Sequence, residues 1–268
     1  MIKENRKKIK LMLLAVAVAA VVAGAFRAFL LLNHIEPETG FYVTGSNMET
    51  VFNLVIAAVA VLVGLCGFAV RKVKSPDFLD SHSTVVVFTS ALCAFMYISV
   101  FLYGLYTIFS AAGDRNYFLY AEVVLCVPCC LNHISVCSSE IREKNTPHAI
   151  FAMSEAIFFA VRIVEVFMDT TTQINVSQRS LELLMLCAMM LFFLFEARFL
   201  VDRVEESDNS ISAYLMSGVA SVAFPMIAVI PYLAVSLFWC YESKFLVMDV
   251  LECCIMMFAA SRIMTLHD

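Results

Sequence analysis

Long apolar runs separated by short polar breaks fill almost the whole chain. They fall at Leu11 to Leu32, Val51 to Val70, Thr84 to Ala112, Tyr117 to Val136, Ala149 to Met168, Leu181 to Val201, Ile211 to Tyr241 and Phe245 to Met264. A helix needs about 20 apolar residues to cross roughly 30 Å of hydrocarbon, and each run meets that length. Lipid offers no hydrogen-bond partner to the backbone, so a spanning segment must be a helix or part of a closed barrel. Runs this long without alternation of polar and apolar residues exclude the barrel. The expected fold is therefore all-α, a polytopic membrane protein with eight transmembrane helices.

Polar residues recur along these runs in a shared order. The first span carries Arg27 in its later half, and the fifth carries Arg162. Glu49 stands at the start of the second span and Glu182 at the start of the sixth. The third and seventh spans are long and contain no ionisable carboxylate or base. The fourth opens Phe118-Leu119-Tyr120-Ala121-Glu122 and the eighth Phe245-Leu246-Val247-Met248-Asp249. With four spans in each unit, both units point the same way, so the pattern reads as a parallel 4+4 internal repeat over residues 1–140 and 141–268 within one membrane domain.

Composition agrees with the pattern. Hydrophobic residues make up 62% of the 268 and charged residues 15%, against roughly a quarter charged in a soluble domain. Lysine and arginine favour the cytoplasmic side of short loops. Lys3, Arg6, Lys7, Lys8 and Lys10 precede the first span; Arg71, Lys72 and Lys74 follow the second, Arg142 and Lys144 the fourth, and Arg203 the sixth, while Arg262 closes the eighth. The opposite loops hold only Arg115, Arg179 and Lys244. This places both termini in the cytoplasm of a cell-membrane protein. A basic start and Ala23-Gly24-Ala25 also resemble a cleavable signal peptide, but the apolar run continues to Leu32, longer than a usual signal core.

The net charge of −5 is spread over loops and helix ends, with no basic stripe for nucleic acid. Nearly all of the ten cysteines lie inside spans, with Cys240 at an outer helix end, so an extracellular disulfide framework is not indicated. No His-Glu-x-x-His, Gly-x-Ser-x-Gly or Walker-type glycine loop occurs, and no cofactor is implied, so a catalytic role is not expected. Asn175-Val176-Ser177 fits a glycosylation sequon, and His34 to Tyr42 reads as an acidic turn-rich loop around Pro37 and Gly40.

Charged residues inside a bilayer are costly and mark function by default. Arg27, Glu49, Glu122, Arg162, Glu165, Glu182 and Asp249 all belong to the outer half of the expected bundle, where they would line a polar cavity for a small anionic or protonatable ligand. The competing reading is structural, with Arg162 and Glu165 pairing one turn apart. Glu155 has no cation near it in sequence, so it is protonated or paired across helices. Glu196 and Arg198 are expected to snorkel from an inner helix end. Pro128, Pro225 and Pro231 interrupt helices and free carbonyl groups.

Cys126, Cys130, His133 and Cys137 share one face of the fourth span, with ligand types suited to copper or zinc. A single rigid helix cannot surround a metal, so packing is the favoured reading there. Ala60 and Gly64 suggest a close helix contact. The expected function is a small-solute or ion transporter. The alternative is a non-transporting sensor or regulatory subunit that acts through a membrane or cytoplasmic protein partner, with membrane lipid as the surrounding medium in either case.

Overall fold

A computed structural model describes residues 2–35, 42–43, 47–70, 83–110, 117–138, 146–168, 176–201, 210–239 and 246–265. Among them are eight helices: α1 (Ile2–Asn33), α2 (Met48–Val70), α3 (Thr84–Ser110), α4 (Tyr117–Cys137), α5 (Thr146–Met168), α6 (Val176–Val201), α7 (Ser210–Trp239) and α8 (Leu246–Thr265). The expected spans match these helices in number and order. Six of the helices, α1 to α4, α6 and α7, are long and apolar enough to cross a membrane. In α5 and α8 charged residues interrupt the apolar run. Most of the Pro37 loop, most of the basic loop residues, Asn175 and Cys240 lie outside the described residues.

Local chemistry sets several helix ends. The carbonyls of Asn47 and Ser83 accept the first bonds of α2 and α3, the position where short polar side chains are favoured. Glu49 in the first turn of α2, and Asp249 and Arg262 in the first and last turns of α8, complement the helix dipole. After α1 the chain forms a single bridge between Ile35 and Tyr42.

Neighbour relations define the architecture. α3 packs on α4, α4 on α5, α5 on α6, α6 on α7, α7 on α8 and α8 back on α3, which closes a six-helix ring. α1 and α2 lie outside that ring, against each other and against α7. A 4+4 pseudo-twofold would pair α8 with α1 as α4 pairs with α5, and α7 with α4 as α3 pairs with α8. Neither counterpart is a principal contact among the described residues.

The ring encloses bulky side chains, including Tyr97, Phe158, Phe159, Phe192, Phe193 and Phe258, all fully buried. Its outside is as apolar as its inside: Phe88 and Phe95 on α3 are 63% and 64% exposed. A water-soluble bundle would bury such residues, whereas lipid tolerates them.

α7 joins the two parts of the bundle. It carries Pro225 and Pro231, and α1 approaches its backbone between them. A Cβ on Gly24 would stand 2.6 Å from the Met226 carbonyl oxygen, a backbone atom that cannot swing aside. Gly24→Leu is therefore expected to lower the unfolding free energy by about 1–3 kcal/mol through overpacking. The check is thermal unfolding in detergent, where an unchanged midpoint would mean that α1 does not rest on α7 there.

Candidate functional site

Four helices of the ring, α4, α5, α6 and α8, bring charged residues to its interior or its rim, at two levels. The first level lies where α3 gives way to α4, α5 to α6 and α7 to α8, termed here the hairpin end. Near the end of α5, Arg162 Nη1 lies 2.6 Å from Glu165 Oε2 and 3.5 Å from Glu122 Oε1 of α4. Arg162 and Glu122 are buried, and Glu165 is half-buried. Glu182 of α6 and the buried Glu252 of α8 are within electrostatic reach of the same guanidinium. Asp249 lies beside Glu182 and Glu252, and Arg179 beside Glu182. Five carboxyl groups thus gather around two guanidinium groups.

Of the residues singled out from sequence, the structure brings together Glu122, Arg162, Glu165, Glu182 and Asp249. It does not bring Arg27 and Glu49 to them, because α1 and α2 stand outside the ring. Arg27 is buried against α2 and the chain that follows α1: Nη1 donates to the Tyr42 hydroxyl at 3.1 Å, and the guanidinium lies 4.8 Å from the centre of the Phe52 ring. This contact combines a charge-assisted hydrogen bond with a cation–π interaction. Glu49 is half-buried in the first turn of α2.

The second level lies toward the opposite ends of the helices. Glu155 precedes Arg162 by seven residues, about 10 Å along α5. Its Oε1 accepts from Asn132 Nδ2 at 2.7 Å and lies 3.1 Å from His133 Nε2, both on α4. Tyr97 of α3 reaches its Oε2 at 3.5 Å. The other ring nitrogen, His133 Nδ1, is 2.9 Å from Ser90 Oγ of α3. His133 and Glu155 are wholly shielded from solvent. The Nε2 contact is close but not aligned for a directed hydrogen bond. Near it, Arg262 Nη2 of α8 pairs with Glu196 Oε1 of α6 at 2.9 Å, and the Glu196 carboxylate is within electrostatic reach of both His133 and Glu155.

Aromatic rings separate the levels. Phe158 and Phe159 stand on α5 between Glu155 and Arg162. Phe159 stacks on Phe193, Phe193 on Phe258, and Phe258 meets the His133 ring edge-on at 4.8 Å. A cavity between α3 and α4, about 210 Å³, opens on the lipid-facing side past Ile98, Val127 and Leu131, and its lining is apolar. It is not the polar cavity expected from sequence.

Glu196 departs from the sequence reading: it does not snorkel but is buried and paired. The signal was available, since Arg262 has the right sign and lies on a helix of matching depth, but it reads equally well as a cytoplasmic flanking residue. His133 likewise turns into the ring, away from any joint ligand set with the cysteines of its helix. Cys130 and Cys137 donate weakly to the carbonyls of Ala94 and Val87 on α3. Among the described residues no group of three or more His, Cys, Asp or Glu is placed to hold a metal ion.

Comparison with protein families, characterised proteins and solved structures finds no match. Function is therefore argued from the site itself.

Proposed function

We propose that the chain is a multi-pass transporter of a small solute or ion, with all eight helices crossing the cell membrane, both termini cytoplasmic and the hairpin end facing outward. The observation that carries this reading is the Arg162 cluster: five carboxyl groups around two guanidinium groups, at the rim of a helix ring with a lipid-like outer surface. Charges at such depth in a bundle are expensive and mark ion or substrate paths. The excess of carboxyl groups selects the ligand class. Arg162 already engages Glu122 and Glu165, so an incoming anion would meet more negative than positive charge. A proton, a metal cation or a small amine would be welcomed instead.

The Arg27 and Arg162 positions read from sequence as twin members of one layer serve separate ends. Arg162 holds the transport cluster, and Arg27 fastens the α1–α2 pair. A duplication would account for the shared order of polar residues along the two halves, but the transport reading does not depend on it.

The test is flux in proteoliposomes, with a pH-sensitive dye inside and sodium, potassium and small amines offered in turn. Wild type should move at least one of these, and Glu122→Gln should cut the rate about tenfold or more, equivalent to about 1.4 kcal/mol. Binding without flux, together with a co-purifying protein, would replace the transporter by the sensor or regulatory subunit. Neither binding nor flux for any of them would reject the cluster as a site.

A further inference from the structure

We propose that His133 and Glu155 together hold one exchangeable proton deep in the helix ring, and that this proton is the ion that drives the transport assigned to the hairpin-end cluster. The second half of the statement rests on the transport reading, and the first stands on its own geometry.

The argument is a count of charge in a dry place. Glu155, His133, Glu196 and Arg262 are at most 6% exposed. Arg262 pairs with Glu196, which cancels that carboxylate. Glu155 is then left with one negative charge and two neutral donors, Asn132 at 2.7 Å and Tyr97 at 3.5 Å. An isolated carboxylate in an apolar interior is strongly disfavoured, and the set becomes neutral on taking up one proton.

The nearest place for that proton is the 3.1 Å contact between His133 Nε2 and Glu155 Oε1. Ser90 also points there: its hydroxyl lies 3.1 Å from the His133 carbonyl and 2.9 Å from Nδ1. If that one hydroxyl proton goes to the carbonyl, Nδ1 must be the donor to Ser90. A bare Nε2 would then face a carboxylate oxygen, lone pair to lone pair, unless a proton lies between them.

Most groups that face the pair among the described residues are uncharged. α3 contributes Ser90, Cys93 and Tyr97, and α4 and α5 contribute Cys129, Asn132 and Ser154. Cys254 of α8 and Cys137 of α4 reach Cys93, and Tyr214 of α7 lies beside Glu196. The charged neighbours are Glu196 and Arg262. Glu196 Oε2 and His133 Nε2 are both buried without a directed hydrogen bond among the described residues.

The step is simple in its balance. Uptake from water forms one N–H or O–H bond at the Nε2–Oε1 contact and takes the four-residue set from net −1 to neutral. Release breaks that bond and returns the proton to water on the other side. The deprotonated set is unstable in a closed, dry ring, so release favours a conformation open to water. Phe158, Phe159 and Phe193 close the path toward Arg162 in the conformation described.

The experiment is infrared titration of the full chain in lipid nanodiscs, following carboxyl and imidazole bands from acid to alkaline pH, with proton flux measured in parallel in proteoliposomes. Wild type should show one titrating proton that disappears in Glu155→Gln, a variant that leaves the set neutral and so should fold. Glu196→Gln removes a negative neighbour and should move the midpoint. An unchanged titration in Glu155→Gln, or an unmoved midpoint in Glu196→Gln, overturns the proton site; the second result decides alone should Glu155→Gln fail to fold. A titrating pair in liposomes that move no protons overturns the coupling and the proton-transport reading while the bound proton stands. Proton-driven flux that survives unchanged in Glu155→Gln overturns the assignment of the driving proton and leaves transport intact.

Discussion

Replacing Arg162 with glutamine should lower the unfolding free energy of the purified protein by about 3–5 kcal/mol, the cost typical of removing one partner from a buried ion pair. The reason is local. Glu122 and Glu165 contact that guanidinium directly, and Glu252 of α8 and Glu182 of α6 feel it electrostatically. With Arg162 gone, the carboxyl groups either repel one another or take up protons. Arg162→Lys should recover only part of the loss, because an ammonium differs from the flat guanidinium in reach, hydration and number of donors. Denaturant unfolding in mixed micelles measures both variants. A loss below about 1 kcal/mol for Arg162→Gln would mean that the acids are already neutral or hydrated, as at an exposed pair.

The second large effect is at Arg262. Arg262→Gln strands Glu196, whose Oε1 then loses a partner at 2.9 Å while its side chain stays buried. A destabilisation of about 3–5 kcal/mol is again expected. The double variant Glu196→Gln with Arg262→Gln should regain most of it, since two neutral amides can bond each other and no charge remains uncompensated. The cycle separates pairing from packing: Arg262 also lies 5.4 Å from the centre of the Phe258 ring, a contact the amide does not replace. A double variant as unstable as the single one would assign the stabilisation to that ring contact and to the arginine stem instead.

How far these features were legible in the sequence follows from the range of the signals. Span length and apolarity are local properties, so the helices could be read one by one, including α5 and α8 despite Arg162 and Asp249. The pair Arg162 with Glu165 was visible because residues three apart share a helix face. Neighbour relations are not local. Nothing in the order Arg27, Glu49, Arg162, Glu182 says that α1 and α2 stand outside the ring, so Arg27 appeared as the twin of Arg162 when its partners are Tyr42 and Phe52.

Glu155 shows the same limit in milder form. Sequence could say that it must be protonated or paired across helices, but not that His133, 22 residues earlier, would meet it. His133 was read with Cys126, Cys130 and Cys137 because helical spacing aligns them. The structure shows that a shared face does not mean a shared target: Cys130 and Cys137 bond to α3 carbonyls while the imidazole reaches inward. Glu252, buried beside Asp249, has no distinguishing pattern in the sequence.

The seat of α1 and α2 on α7 has a bearing on biogenesis. More than a hundred residues separate the end of α2 from the start of α7, on the order of ten seconds of ribosomal synthesis. During that interval the first two helices are in the bilayer before their main tertiary partner exists. They must wait as an independent insertion unit, and any nascent chain halted before α7 leaves them without a dock, a natural signal for quality-control proteases in the membrane.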